Sequence, residues 1–245
     1  ETTNPGGVVS FALEPGYEDP GSVLLGDTES RVYISEDGGE EWDLVGDCAT
    51  VLTDTEDTYV VFDPAYATSG IIYAAANDII ARCIIDPDAD WADQEWEEIC
   101  DHDGYAAGIA AAGDTALYVT DSDNAELDPL VDTQEICYEG GVLRSLNPDT
   151  DDAADVVFER IGPGLVDEDT ELRHLWLTCD TSDEGCAENV LWALEQYGAY
   201  PENIWVYEDT LAAPVVLAMP LDAQKLTKTD EATLSWNTLC DADCY

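Results

Sequence analysis

The sequence predicts an all-β fold, a β-propeller-like array of about four to five units with four strands each. Three observations lead to this fold class. Short apolar runs recur between turn residues about every ten positions. No segment has the pattern of a long amphipathic helix, and one stretch near the start recurs later in the chain. We therefore expect a single domain, residues 1–245, that is an incomplete ring or part of a larger chain.

The internal repeat is clearest in its first two copies. The stretches "PGYEDPGSVLLG" (15–26) and "PAYATSGIIYAA" (64–75) carry Pro, Tyr and Gly at the same spacing. Each is followed by a strand, an acidic turn, a tryptophan and another strand, and later copies keep this order with Phe158 in place of the tryptophan. A repeat of roughly 40 to 60 residues with four strands is typical of a β-propeller. The predicted units span residues 8–50, 57–100, 105–163 and 170–220, with a partial unit at 221–245.

The segment "SEDGGEEW" (35–42) directly follows the strand-like run "RVYI" (31–34). Asp37 is suited to accept backbone N–H groups within a tight turn. Gly39 can adopt a positive φ at little cost, and Trp42 can pack its ring beneath the loop. The pattern predicts a turn between two antiparallel strands.

With Ser35, Asp37, Gly39 and Trp42 in place, this segment resembles the Asp-box (BNR-like) repeat, S-x-D-x-G-x-x-W. The resemblance is to secreted and cell-surface propellers of the S-layer-type and sialidase-like repeat group. It implies that the four residues form a structural turn without a catalytic role. It also implies six to eight blades, more than this chain supplies. Either the chain is part of a longer protein, or the ring is small, or an open strand edge is completed by another chain.

The charge is strongly one-sided, with 56 acidic and 7 basic residues and a formal net charge of -49. Such a chain repels nucleic acid and anionic membranes, because binding to phosphate requires Lys and Arg. No run is long and apolar enough to span a membrane. Two origins of the acidity remain open: adaptation to high salt, or an extracellular surface rich in calcium. The chain begins at Glu1 and has no signal-peptide core, which fits a processed product or a fragment.

An even number of cysteines in an acidic, aromatic-rich chain favours disulfides and an extracellular location. Cys179 with Cys186 and Cys240 with Cys244 would close short loops. Metal–thiolate ligation is the alternative, although the chain has no CxxC pair and two histidines. The eight disulfide candidates are Cys48, Cys83, Cys100, Cys137, Cys179, Cys186, Cys240 and Cys244.

The loop "DPDADWADQEWE" is the predicted metal site, because hard oxygen ligands alternate along it as in calcium loops. Its candidate ligands are Asp86, Asp88, Asp90 and Glu97. Trp91 stands where an EF-hand has glycine, so a plain acidic turn is the alternative. Ca²⁺ is the one cofactor that the composition favours, and neither an organic cofactor nor haem is expected.

We expect no catalytic site. A sialidase-like hydrolase would need an arginine cluster for the substrate carboxylate, but Arg31, Arg82 and Arg144 occupy comparable strand positions in successive units, which the repeat explains. His102 and His174 are isolated and are predicted to be strand or loop residues without a ligand.

The predicted function is therefore a non-catalytic, self-associating and cation-stabilised component of an extracellular filament or cell-surface layer. A propeller module that binds a glycan or protein ligand is the alternative, through the insertion at 121–139 or through a face that presents Trp176, Trp192 and Trp205. Core packing is the competing explanation for these three tryptophans. A glycoside hydrolase is the third possibility.

Overall fold

The computed structural model describes residues 5–18, 20–52, 56–112, 116–121, 141–161, 170–183, 186–197, 200–209, 217–219 and 235–236. The description that follows concerns these residues. Cys137, Cys240, Cys244 and most of the insertion at 121–139 lie outside them. So does nearly all of the predicted partial unit at 221–245.

The first sheet contains four antiparallel strands in chain order. They are β1 (Val8–Leu13), β2 (Val23–Asp27), β3 (Val32–Ser35) and β4 (Asp43–Leu44). Strands β2 and β3 are almost wholly buried, and Trp42 lies directly before the outermost strand.

The second sheet has three strands, β5 (Tyr59–Phe62), β6 (Ile71–Ile84) and β7 (Trp96–Ala106), in the order β5-β6-β7. The short helix α1 (Tyr66–Ser69) precedes β6 and ends at Gly70, whose φ of 64° favours glycine. Strand β6 is interrupted at Asn77, which has a φ of 50° and is followed by a register shift.

The third sheet contains β8 (Ile109–Ala112), β9 (Ala116–Asp121), β10 (Gly141–Ser145) and β11 (Phe158–Ile161), paired in chain order. Strands β9 and β10 are buried along their whole length. Phe158 begins the outermost strand here, as Trp96 does in the second sheet. The substitution of Phe158 for the repeat's tryptophan therefore preserves an equivalent position.

The fourth sheet consists of β12 (Thr170–Asp183), β13 (Cys186–Tyr197) and β14 (Tyr200–Asp209), again antiparallel and in chain order. A separate pairing joins β15 (Leu217–Met219) to β16 (Ser235–Trp236). Three short 3-10 turns, at Cys48–Thr50, Trp91–Asp93 and Ala153–Asp155, lie in the connections before an innermost or outermost strand.

The four sheets are arranged as the blades of a four-bladed β-propeller, which confirms the predicted all-β fold class. Along the inside, β1 contacts β5, β5 contacts β8, and β8 contacts β12. An apolar layer fills each boundary between successive sheets. Representative pairs across the three boundaries are Ile34 with Phe62, Tyr73 with Leu117, and Val142 with Leu191. Burial of both faces explains the nearly continuous apolar runs of β6, β9 and β10.

None of the helices in the described part of the chain has the length and apolarity needed to cross a membrane.

Candidate functional site

A central cavity of about 390 Å³ lies where the four innermost strands approach one another. Every one of these strands contributes to its wall, including Phe11 from β1, Tyr59 from β5, Ile109 from β8 and Trp176 from β12. The other described lining residues are Val9, Ser10, Val60, Gly108, His174 and Leu175. The size falls in the range of small-molecule sites, roughly 300 to 1,000 Å³.

The β12 side of the cavity has an irregular backbone at His174. The register of β12 against β13 shifts between Arg173 and Leu175, and His174 has a φ of 55°. Its backbone N–H donates to the carbonyl of Ala107 at 3.1 Å. A bulge of this kind redirects side chains, and strained backbone of this kind is concentrated at functional sites.

The rings of His174 and Trp176 lie next to each other at the cavity wall. Their centroids are 5.8 Å apart and their planes are inclined by 32°. Trp176 is 53% exposed, and Phe11 on the β1 side is 71% exposed. The cavity therefore presents aromatic surface from the first and the fourth sheet to whatever occupies it.

The polar groups of the wall are largely engaged within the protein. The hydroxyl of Ser10 donates to the carbonyl of Thr58 at 2.8 Å and accepts from the N–H of Val60 at 3.1 Å. These bonds hold β1 against β5. They leave the Ser10 hydroxyl with little capacity for a ligand.

A second candidate surface is the outer face of the fourth sheet, defined here by Trp176, Trp192, Ile204 and Val206. Trp176 lies directly opposite Trp192, which lies opposite Val206 on the next strand. The side chains of Ile204 and Val206 are exposed, and Trp192 is 37% exposed while its indole N–H donates to Thr178. Apolar side chains thus form a continuous exposed row across three strands.

The three tryptophans proposed as ligand contacts have separate environments. Trp205 points to the third sheet, packs against its core and donates from its indole N–H to Glu195 at 2.8 Å. Core packing explains Trp205. Trp176 and Trp192 lie on the opposite, exposed face, and of the two only Trp176 lines the cavity.

The "SEDGGEEW" segment forms a compact turn between β3 and β4. The Ser35 hydroxyl donates to Asp37 at 2.7 Å and accepts from the N–H of Gly39 at 2.8 Å. The Asp37 carboxylate accepts from the N–H groups of Glu40 and Glu41. Gly39 has a φ of 99°, and a side chain there would extend towards the ring of Trp42. Asp37 is thus fully used in holding the turn.

Donation from the N–H of Glu41, together with that from the Ser35 hydroxyl, lowers the pKa of Asp37 below its usual value. The charged form is the one that accepts these bonds, so the turn is most stable when Asp37 is ionised.

The predicted calcium ligands lie on one exposed loop and its following strand. Asp86 accepts from the N–H of Asp88 at 2.9 Å, and Gln94 bridges the loop from inside. Glu97 accepts instead from Arg82 at 2.6 Å. Across the described residues, no three acidic, histidine or cysteine side chains are grouped closely enough to hold a metal. The calcium site at Asp86, Asp88, Asp90 and Glu97 stays a prediction.

The arginines have structural partners at the sheet boundaries. Arg82 is fully buried, lies opposite Glu97 and donates to the carbonyl of Pro148 in the third sheet at 2.7 Å. Arg144 lies opposite Glu159 in the same way and pairs with Asp209 of the fourth sheet. Arg31 differs, because it precedes β3 and pairs with Asp27 at 2.8 Å. None of the three is among the described residues of the cavity wall.

A buried polar cluster that the sequence did not indicate lies at the end of β9. Asp121 contacts both His102 Nδ1, at 3.2 Å, and Arg160. The N–H of Gly104 also approaches His102 Nδ1, at 3.2 Å. Buried aspartates also end β2 and β14, at Asp27 and Asp209, and Asp63 directly follows β5, although these strands hold different positions in their sheets.

The described cysteines with known side-chain environments are Cys48, Cys83 and Cys100, and all three are free thiols. Cys48 and Cys83 share the core between the first and second sheets. In the β12–β13 hairpin, Cys179 lies opposite Asn189 and Cys186 opposite Asp183. A bond between Cys179 and Cys186 would require another register at the hairpin tip, because bridged Cα atoms lie within about 7 Å. The pairing stays a prediction.

These sheets define the class of this protein, a β-propeller. No known protein family matches the chain, so the Asp-box assignment has no support beyond the turn itself, and no curated protein matches it either. A solved structure with a similar arrangement is the "Crystal Structure of the N-terminal Domain of Nup159", at 6% identity and a TM-score of 0.40. The similarity covers 78% of this chain and 48% of that chain. With a TM-score this low, the fold assignment rests on the sheets themselves.

Proposed function

We propose that this protein is a non-catalytic structural component of an extracellular filament or cell-surface layer, which associates with copies of itself and is stabilised by cations. One observation carries the proposal. The outer face of the fourth sheet exposes an apolar row, Trp176, Trp192 and Val206, on a chain with a formal net charge of -49. Exposed apolar patches on soluble proteins mark interaction surfaces.

The way the other sheets pack supports an association through this face. The face of the third sheet that points to the fourth buries Tyr118 and Val142 against Leu172 and Leu191. The outer face of the fourth sheet is its counterpart one blade further along. A further blade of the same kind, from a second copy, would cover it. A contact of this type between unlike surfaces generates an open chain of subunits when it does not close into a ring.

The charge explains why cations enter the proposal. Two copies with 56 acidic and 7 basic residues each repel one another at low ionic strength. Dissolved salt shortens the range of this repulsion to about 10 Å at 0.1 M, and divalent ions can also bridge carboxylates. Association is therefore expected to strengthen with salt, which is opposite to the behaviour of complexes held by ion pairs.

The test compares two aspartate variants by sedimentation velocity and negative-stain electron microscopy. Ile204→Asp places a charge in the outer face, and Val157→Asp is the matched control, since the two side chains are 66% and 65% exposed. We expect salt-dependent assembly of the wild type and the control, and none of Ile204→Asp. Monomers of the wild type under every condition, or equal assembly of both variants, would overturn the proposal.

A comparison of cations identifies their role. Assemblies are formed in CaCl₂ and in NaCl at equal ionic strength, and each is then treated with EDTA. If EDTA dissolves the assemblies formed in CaCl₂ but not those formed in NaCl, calcium bridges carboxylates between copies. The predicted calcium loop at Asp86, Asp88 and Asp90 leads to this expectation. Equal assembly in both salts, unaffected by EDTA, would assign the effect to screening.

A second candidate function, a module that binds a ligand, is favoured by the central cavity and its aromatic wall. The two functions share Trp176 but can be separated, because Trp192, Ile204 and Val206 are not among the described lining residues. Ligand binding that survives Ile204→Asp would support this second function independently of assembly.

A further inference from the structure

The central cavity has features that self-association through the outer face does not explain. Phe11, which is not part of the outer face, is 71% exposed at the cavity wall, and Trp176, which the cavity shares with the outer face, is 53% exposed. They belong to the first and fourth sheets, which are far apart in the chain. Leaving such rings in water costs free energy that burial would recover, about 25 cal/mol for each Å² of apolar surface. The wall is thus suited to a ligand that covers aromatic surface.

The polar content of the wall limits the class of ligand. Of the described residues that line the cavity, four have polar side-chain atoms: Ser10, Tyr59, His174 and Trp176. The Ser10 hydroxyl is already bonded to Thr58 and Val60, and Tyr59 also has an interaction within the protein. Backbone polar groups also line the cavity, so that its exposed lining is about as polar as it is apolar. A ligand that combines apolar surface with a small polar group fits this wall.

The charge of the protein then selects among such ligands. A formal net charge of -49 repels anions from the surface and raises the local concentration of cations. No Lys or Arg occurs among the described lining residues to oppose a cation. Aromatic faces, tryptophan above all, attract cations through the ring quadrupole. A quaternary ammonium group combines a positive charge with an apolar surface and has no N–H to satisfy.

We propose that the central cavity binds a small quaternary ammonium cation, with its methyl groups against the rings of Trp176 and Phe11. The bulge at His174 places the Trp176 ring beside the imidazole, so that the β12 wall is a broad aromatic surface. Gly108 allows the backbone of β12 to approach β8 at this point. This inference goes beyond the proposed self-association and does not depend on it.

The test is isothermal titration calorimetry with choline, and with 3,3-dimethylbutan-1-ol as a neutral control of the same shape, at constant ionic strength. We expect choline to bind at least about tenfold more tightly than the neutral alcohol, because the shapes match and only the charge differs. Absence of choline binding, or equal affinity for the two compounds, would overturn the proposal.

Variants locate the binding site. Trp176→Ala is expected to weaken choline binding by about tenfold, while Val157→Ala, at an exposed apolar residue outside both the described wall and the outer face, leaves it unchanged. Phe11→Leu is the second variant, since it keeps the apolar volume of an exposed residue and removes only the ring. Circular dichroism and the melting temperature establish that each variant is folded. An equal loss in Val157→Ala, or no loss in either cavity variant, would place choline elsewhere and refute the assignment.

Discussion

A methyl group on Gly108 would lie 2.7 Å from the backbone nitrogen of Leu175, closer than any real Cβ contact. Gly108 precedes β8 and Leu175 lies within β12, so this contact is a direct backbone approach between the third and fourth sheets. It occurs beside the bulge at His174. Because residue 108 has no side chain, the backbone of β12 can lie this close to Gly108. This close approach sets the position of the cavity's β12 wall.

Gly108→Ala is expected to destabilise the protein by about 1 to 3 kcal/mol, the usual cost of overpacking, because the obstructing atoms are backbone. The same variant should weaken choline binding. Gly6→Ala is the control, since its methyl group would meet side-chain atoms alone, the flexible end of Arg31 at 3.3 Å and the Asp27 carboxylate at an ordinary contact distance of 3.6 Å. Urea denaturation measures the stability of both variants, and titration calorimetry measures their affinity for choline. Equal stability of the two variants would show that β12 can move without cost.

Arg144→Ala is expected to lower the free energy of unfolding by about 3 to 5 kcal/mol. The reason is that Asp209, whose side chain is fully buried, would lose the guanidinium of Arg144. Arg31→Ala is the comparison and should cost about 1 kcal/mol, because Arg31 is partly exposed and Asp27 still accepts from the N–H groups of Glu29 and Arg31. Urea unfolding curves measure the free energy of unfolding of both variants. A larger effect at Arg31 than at Arg144 would contradict this ranking.

The turn at Asp37 is expected to loosen in acid. Its pKa is lowered in the folded protein, so its contribution is complete above the usual value of 3.8 and is lost as the pH falls through the lowered value. Amide hydrogen exchange at Glu40 and Glu41 reports the loss. In Asp37→Asn, which has no charge to titrate, exchange there should be faster at neutral pH and show no such transition. A transition that persists in the variant would have another origin.

The buried thiols are expected to resist alkylation. Burial, and then the charge of Glu97, raises the pKa of Cys83 to about 12, and burial raises that of Cys48 well above its usual value. At pH 8 in the native state, iodoacetamide should modify neither, and after unfolding without reductant it should modify both. Peptide mass spectrometry identifies which cysteines carry the modification. Failure to modify them after unfolding would mean that they are joined in a disulfide.

The same shifts predict weaker folding in alkali. A buried thiol whose pKa is raised stabilises the fold fully below 9.0, the pKa in the unfolded chain. This contribution to the free energy of unfolding falls as the pH rises towards about 12, the pKa in the folded protein. Stability measured in urea between pH 8 and 10.5 should therefore decline less steeply in Cys83→Ala than in the wild type. Parallel curves would contradict this assignment.

The sequence predicted the fold because the repeat places the same signals at the same points of each blade. Trp42, Trp96 and Phe158 stand just before or at the start of an outermost strand, as the repeat requires. The turn at Ser35 and Asp37 depends on residues close together in the chain, and its hydrogen bonds follow from residue type alone. Local signals of this kind survive even where the rest of the repeat has diverged.

The cavity could not be predicted, because its wall combines single residues from four strands. Phe11 and Trp176 have no common pattern that would join them. The sequence predicts His174 as a strand or loop residue, and nothing in "LRHLW" indicates that its φ is positive. The partners of Arg82 and Arg144 also depend on the packing of successive sheets. A repeat explains that such residues recur, but not what they contact.

Asp209 lies at the end of the fourth sheet, yet it completes the interior of the third. It accepts from the Tyr118 hydroxyl at 2.7 Å, across 91 residues of chain, and pairs with Arg144 across 65. During synthesis, Tyr118 and Arg144 therefore emerge from the ribosome long before Asp209, the carboxylate that both of them contact. We expect the third blade to stay immature until the fourth has emerged. The two blades would then become resistant to protease together, as a single step of co-translational folding.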